Sequence, residues 1–237
     1  FCAGVERALK IAEYLLKNSP ETVYCLKEIV HNRQIVNDLE RRGLVFVKDI
    51  NAVPRRGTVL FSAHGVTPAV RDMAREFELN AVDATCHFVN KVHSEVRRYA
   101  SAGYTILLIG HRKHDEIIGV AGEAPASVKV IENTDEAEKV SVPDPGKVAV
   151  MTQTTLSVDD TARVINVLRR RFPSLKLPAG SDICYATQNR QKAVRSFAGN
   201  ADVFIVLGAR NSSNSNRLVE VAGAAGCKAF LVSEIKE

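Results

Sequence analysis

The sequence predicts an α/β protein: three small α/β units with mostly parallel sheets arranged around a pseudo-threefold axis. Three observations predict it. Helical and strand-length apolar patterns alternate along all 237 residues, as parallel strands joined by crossover helices require. Cys2, Cys86 and Cys184 recur in one context, each followed by a helical segment and then, about 20 residues on, by a strand. Each of those strands runs into a polar loop: His31-Asn32-Arg33, then His111-Arg112-Lys113-His114-Asp115-Glu116, then Asn211-Ser212-Ser213-Asn214-Ser215-Asn216. The repeat is far longer than a solenoid repeat, so it points to separate units rather than a stack. The expected division is residues 1–86, 87–183 and 184–237.

The elements follow in order. Val5, Ala8, Leu9, Ala12, Leu15 and Leu16 have helical spacing after Cys2, and Val23–Leu26 is a strand. His31 opens a short helix carrying Ile35 and Leu39, stopped by Gly43, where a missing Cβ permits a left-handed cap. Leu44–Val47 and Val59–Ser62 are strands. Thr67 and Pro68 supply an N-cap and a first-turn proline for a helix with Val70, Met73 and Phe77 inward. Ala81–Ala84 is a strand leading to Cys86; Val89, Val92, Val96 and Tyr99 line the next helix, closed by Gly103. Thr105–Ile109, Val128–Ile131 and Val148–Met151 are strands. Ser157 with Asp160 resembles a capping box for the helix of Ile165, Leu168 and Phe172, which ends before Pro173. Val194, Phe197 and Ala198 mark a helix and Val203–Leu207 a strand. Leu218, Val221, Ala222 and Ala225 face one side of a helix ended by Gly226, and Ala229–Val232 is the last strand.

Composition excludes several classes. With 46% hydrophobic and 25% charged residues, 14 Gly and 8 Pro, the chain is neither collagen-like nor disordered. Its longest apolar runs are strand-length, far short of the ~20 residues that cross a bilayer, and Phe1–Arg7 lacks the pattern of a signal peptide. No membrane partner is expected. The net charge of +5 is a mild bias. The basic clusters Arg41-Arg42, Arg55-Arg56, Arg97-Arg98 and Arg169-Arg170-Arg171 are short and lack interleaved aromatics. Three sit near helix ends, so no nucleic-acid partner is expected; a docking face for an acidic partner is the weaker reading.

The five cysteines are an odd number without a C-x-x-C pair, which excludes a secreted disulfide framework, a zinc ribbon and a thioredoxin motif. Cys25, inside a strand, and Cys227, just after a helix end, read as structural thiols. Cys2, Cys86 and Cys184 each stand at a helix start, where free N–H groups and the dipole favour thiolate. Three such thiolates on a common axis suit zinc or a 4Fe-4S cluster with one open iron; duplicated core thiols fit the spacing as well. A hydrolase using Cys86 or Cys184 as nucleophile with a histidine is a second reading, and a non-catalytic basic binding module a third.

Ligands of parallel sheets bind at strand ends. There the loop 211–216 offers hydroxyls, amides and helix N–H groups to an anion. Ser62-Ala63-His64-Gly65 and Met151-Thr152-Gln153-Thr154-Thr155 end two further strands. His31, His64 and His114 occupy equivalent strand ends, where imidazoles suit a diphosphate. Glu116 lies near them and becomes a general acid if burial raises its pKa. His87 and His93 receive no role.

Taken in order, these residues resemble the IspH/LytB family of 4-hydroxy-3-methylbut-2-enyl diphosphate reductases. The resemblance is carried by Phe1-Cys2-Ala3-Gly4-Val5, His31-Asn32, Ser62-Ala63-His64-Gly65-Val66, Asp83-Ala84-Thr85-Cys86, and Ile109-Gly110-His111 with His114 and Glu116. Thr152–Ser157, Ile183–Thr187 with Asn189-Arg190-Gln191, and Asn211–Leu218 continue it, so that it spans the whole chain. It implies a central 4Fe-4S cluster on Cys2, Cys86 and Cys184. It implies a substrate diphosphate held by His31, His64, His114, Ser212, Ser213 and Asn214, with Glu116 as proton donor beside Thr154 and His114. It further implies ferredoxin or flavodoxin as electron donor and a cytoplasmic monomer. His87 and Asp115 depart from the family's usual prolines. The family's first strand and its C-terminal Gly-Ala-Ser-x-Pro stretch have no counterpart here, so the first unit is expected to lack a strand and the third to be cut short.

Overall fold

Crossover helices force parallel pairing, and every strand pair in the computed structural model, which describes residues 1–233, is parallel. The first stretch comprises α1 (Ala3–Asn18), β1 (Val23–Leu26), α2 (Arg33–Arg41), β2 (Val45–Val47), β3 (Thr58–Phe61), α3 (Pro68–Glu76) and β4 (Asn80–Asp83). The second comprises α4 (His87–Ser101), β5 (Thr105–Ile109), α5 (Asp115–Ala121), β6 (Val128–Ile131), α6 (Thr134–Lys139), β7 (Val148–Thr152) and α7 (Val158–Arg171). The last comprises α8 (Tyr185–Ala198), β8 (Val203–Leu207), α9 (Ser213–Ala224) and β9 (Lys228–Val232).

Three sheets result, with strand orders β2-β1-β3-β4, β6-β5-β7 and β8-β9. Each repeats one topology. The strand after a cysteine-led helix (β1, β5, β8) pairs with the strand that follows it (β2, β6, β9). In the first two sheets, β3 or β7 pairs on its other side. β5 is sandwiched: Leu107 and Ile109 pack with α7 residues on one face, Ile106 and Leu108 with Val92 and Val96 of α4 on the other. That explains its unbroken apolar run. The third sheet has a small core of Val194, Ala198, Val221, Ala222 and Cys227 on one side. On β8, Val203, Ile205 and Leu207 share the opposite face by strand alternation and are exposed, as is Phe230.

Local chemistry places the ends as the sequence predicts. Thr67 Oγ1 accepts the Val70 N–H and Ser157 Oγ accepts the Asp160 N–H. Gly43 closes α2 at φ +100°, a left-handed value that favours glycine. Two elements are additions: the 3₁₀ turn Ile50–Ala52 and α6, whose polar sequence Thr-Asp-Glu-Ala-Glu-Lys buries only Ala137. β3 and β4 each start and end one residue earlier than expected, because Ser62 and Ala84 already belong to the strand-end loops. Phe197 lies on the solvent face of α8. Among the described residues no helix is long and apolar enough to cross a membrane.

Candidate active site

Cys2, Cys86 and Cys184 are the N-cap residues of α1, α4 and α8, all with extended backbone. Two are tied to strand-end loops. The Cys86 N–H donates to the Ala63 carbonyl and the Cys184 N–H to the Thr154 carbonyl, at 3.0 and 3.1 Å. Cys184 Sγ accepts the Thr187 N–H at 3.4 Å and lies 3.1 Å from Thr187 Oγ1, so its hydrogen-bond partner is a threonine and not an imidazole base. Gly4 shows how closely the thiols converge: a Cβ there would lie 2.7 Å from Cys86 Sγ and 3.9 Å from Cys2 Sγ. Burial pushes the Cys86 thiol up, and the charges of Cys2 and Cys184 add to it against the lowering effect of the Phe88 and Val89 N–H groups. Three mutually repelling soft donors, with a glycine leaving room beside two of them, fit a positively charged thiophilic centre. Cys25 and Cys227 are buried elsewhere; Cys25 is pushed up to about 12 by burial, and Cys227 donates to the Ala201 carbonyl.

The thiols open into a cavity of about 440 Å³. Its wall also holds His31, His64, His114, Glu116, Thr154, Ser212, Ser213 and Asn214. The structure therefore brings together every residue that the sequence singled out for chemistry. The imidazoles form one cluster: His31 stacks on His64 with centroids 4.1 Å apart, and His114 meets them edge-on at 5.4 and 5.7 Å. His114 caps α5, its Nδ1 accepting the Glu116 N–H at 3.2 Å. That assigns its proton to Nε2, as a donor. Burial, then the charge of His31, holds His114 down at about 4. Burial, then His31 and His114, holds His64 well below the usual histidine range. An anion among the rings favours their charged forms and so opposes both effects. On the third sheet, Ser212 accepts the Ser215 N–H and caps α9, while Asn214 Oδ1 is buried without a partner.

Glu116 is 2% exposed. Its Oε1 accepts the Thr154 N–H at 2.7 Å and its Oε2 the Thr154 hydroxyl at 3.0 Å. Desolvation raises its pKa to about 7, the two Thr154 bonds opposing and the Asp182 charge adding. It is thus a buried acid poised near neutrality, hydrogen-bonded to a hydroxyl on the same wall.

Sequence reasoning missed several supports. Glu28 Oε2 lies 3.2 Å from His31 Nδ1 and accepts from Asn211 Nδ2 at 2.8 Å. Lys27 pairs with Asp115. Gln153, fully buried, accepts the His111 N–H and donates to Thr155. Asp182 accepts the Thr152 N–H at 3.0 Å and pairs with Lys91. Donor atoms of His31, His64 and Asp115 lie within 4.8 Å of one another, a spacing that a cation can use. Lys27 already neutralises Asp115, which leaves the cluster suited to anions.

Comparison with known proteins gives the family. The family model described as LytB protein matches residues 1–237. The 4-hydroxy-3-methylbut-2-enyl diphosphate reductase of Acidothermus cellulolyticus is 52% identical over 238 residues, covering 100% of this chain and 70% of the relative. That of Mycobacterium leprae is 50% identical, covering 100% and 72%. Among solved structures, the E-1-hydroxy-2-methyl-but-2-enyl-4-diphosphate reductase from Plasmodium falciparum matches with TM-score 0.97 at 38% identity, over 100% of this chain and 74% of that one. On these matches, and on the three-unit α/β fold it shares with the solved relative, the chain belongs to the LytB family.

Proposed function

We propose that the cavity catalyses the reaction for which the relatives are named, as a 4-hydroxy-3-methylbut-2-enyl diphosphate reductase. Two electrons and two protons convert the allylic alcohol to isopentenyl or dimethylallyl diphosphate and water. The observation that carries this reading is the convergence of three helix-capping thiols, three imidazoles and one neutral-range carboxyl group on a single cavity. The unit at 1–86 carries Cys2 and ends on Cys86, which caps the first helix of the unit at 87–183, and the unit at 184–237 opens on Cys184.

Cys2, Cys86 and Cys184 are the residues to hold a 4Fe-4S cluster, which when bound supplies single electrons and one Lewis-acidic iron lacking a protein ligand. The chain's own groups do the rest. His31, His64 and His114, with Ser212, Ser213 and Asn214, anchor the diphosphate and fix the position of the hydroxyl. Thr154 sets its hydroxyl beside that oxygen. Glu116, protonated below about 7, delivers a proton through the Thr154 contact, turning a poor leaving group into water. Apolar residues of the wall, Val30, Val89 and Leu218 among them, keep bulk water from the reacting carbon. The electron donor is an acidic ferredoxin or flavodoxin, to which a net charge of +5 is complementary, and the protein works as a cytoplasmic monomer.

Anaerobically purified protein is expected to carry about four irons per chain. Cys86→Ser is expected to lose iron, visible absorption and reductase activity together. Stoichiometric zinc with full activity would overturn the assignment.

A further inference from the structure

Behind the histidine cluster lies a buried ionic network that the reaction does not use. Its centre is Glu123, just beyond α5, with a side chain 2% exposed. The carboxylate accepts from three donors on two other helices: Arg71 of α3, His93 Nδ1 of α4 at 2.7 Å, and Arg97 of α4 at 3.1 Å. Arg71 also donates through Nη1 to the Val66 carbonyl at 3.0 Å.

The His93 ring, 3% exposed, is wedged between two elements of the cavity wall. A Cβ on Gly65 would lie 2.9 Å from His93 Nε2, and a Cβ on Gly119 would lie 3.5 Å from the same atom. Gly65 directly follows His64 and has φ +81°, so its backbone conformation favours glycine. Gly119 lies on α5, the helix that starts at His114 and carries Glu116. One imidazole therefore touches both the loop of His64 and the helix of the two other ligand-facing groups. Burial, with Arg71 and Arg97, holds His93 below the usual range against the pull of Glu123, so the ring is neutral with its proton directed at the carboxylate.

We propose that Glu123, His93 and Arg71 are positioning residues that hold His64 in register with His114 and Glu116 for the substrate diphosphate. The network grips the chain on the C-terminal side of His64: Arg71 fixes the Val66 carbonyl and His93 packs against Gly65. Removing the carboxylate charge leaves Arg71 and Arg97 without their shared anionic partner, so Arg71 holds the Val66 carbonyl less firmly and the grip loosens even where the helices stay folded. This inference rests on the reading of the cavity as a diphosphate site.

The test is calorimetric titration of the iron-loaded protein with inorganic pyrophosphate, read as a double-mutant cycle. Glu123→Gln is expected to weaken binding about tenfold. Combined with His64→Ala it is expected to add nothing to the loss from His64→Ala alone. Combined with Ser213→Ala, on α9, its loss is expected to add in full. Should Glu123→Gln fail to fold, His93→Phe takes its place in the same cycle, with His93→Gln, which keeps a donor toward Glu123, expected to restore binding. Unchanged affinity in Glu123→Gln while His64→Ala is impaired overturns the positioning role alone; so does equal additivity with both partners. Unchanged affinity in His64→Ala overturns the diphosphate reading itself, and the positioning role with it.

Discussion

Glu116 carries a sharp dependence on pH. Its carboxyl group is favoured in the neutral form because water cannot reach it, and the Thr154 donors only partly offset that cost. A carboxyl whose folded pKa is raised binds its proton more tightly in the native state. Its contribution to stability is therefore complete below about 4.5 and is lost as pH rises through about 7. The buried histidines act with the opposite sign: His114, held at about 4, costs stability as pH falls from its ordinary 6.5 toward 4. Proton delivery follows Glu116, so turnover is expected to decline as pH rises through about 7. Glu116→Gln is expected to lower kcat by about 10²–10⁴-fold. The variant is also expected to lose less stability than the parent between pH 5 and pH 8, measured as urea midpoints. A variant that keeps both turnover and the parental pH profile would refute the role. Glu116 and the histidines were legible in the sequence because each follows a strand end. Asp182, which raises the Glu116 pKa, was not: its burial depends on β7 passing it in space.

At the scale of elements, the helix N-terminus is the unit that builds the site. Three helices begin at a thiol, and α5 and α9 begin at His114 and Ser212. These starts were readable because β strands and caps leave local marks, and Val23–Leu26, Thr105–Ile109, Val128–Ile131 and Val203–Leu207 occur as expected. α6 was not readable, since six polar residues with one buried alanine carry no apolar period. The role of Gly4 was also hidden: nothing local says why the second residue of α1 lacks a side chain. Gly4→Ala separates helix formation from cluster binding. Alanine favours helix over glycine by up to about 1 kcal/mol, so the apoprotein is expected to unfold no earlier than the parent. Its methyl group, however, would sit 2.7 Å from Cys86 Sγ. Iron content is expected to fall several-fold while far-UV circular dichroism is unchanged. Full iron loading in the variant would show that the thiols have slack.

Across the whole molecule, the threefold repeat announced itself through three cysteines in one context, but the contacts that join the sheets did not, because their partners are far apart in sequence. Lys27, after β1, pairs with Asp115, after β5. Arg217 of α9 lies 3.0 Å from His111 Nε2, after β5. Asn211, after β8, donates to Glu28 and lies 3.3 Å from His31, after β1. At least one polar contact thus spans each pair of sheets, and His31, His111, Asp115, Asn211 and Arg217 from these contacts line a second cavity of about 370 Å³ that shares His31, His114 and Ser213 with the first. Exposed polar pairs of this kind contribute about 0–1 kcal/mol each, too little to hold the fold together but enough to bias where strand-end loops sit. Asn211→Ala is therefore expected to leave the thermal midpoint within a few degrees of the parent. It removes the donor that holds Glu28 beside His31, so the diphosphate end of the substrate loses part of its frame. KM is expected to rise several-fold with kcat nearly unchanged, because the affected groups anchor the substrate and do not touch the oxygen that leaves. Lys27→Ala is expected to act in the same direction, and raising the salt concentration should narrow its difference from the parent, since the lysine is 40% exposed. An unchanged KM in both variants would show that these contacts have no part in binding. A loss confined to kcat would move their role to the chemical step.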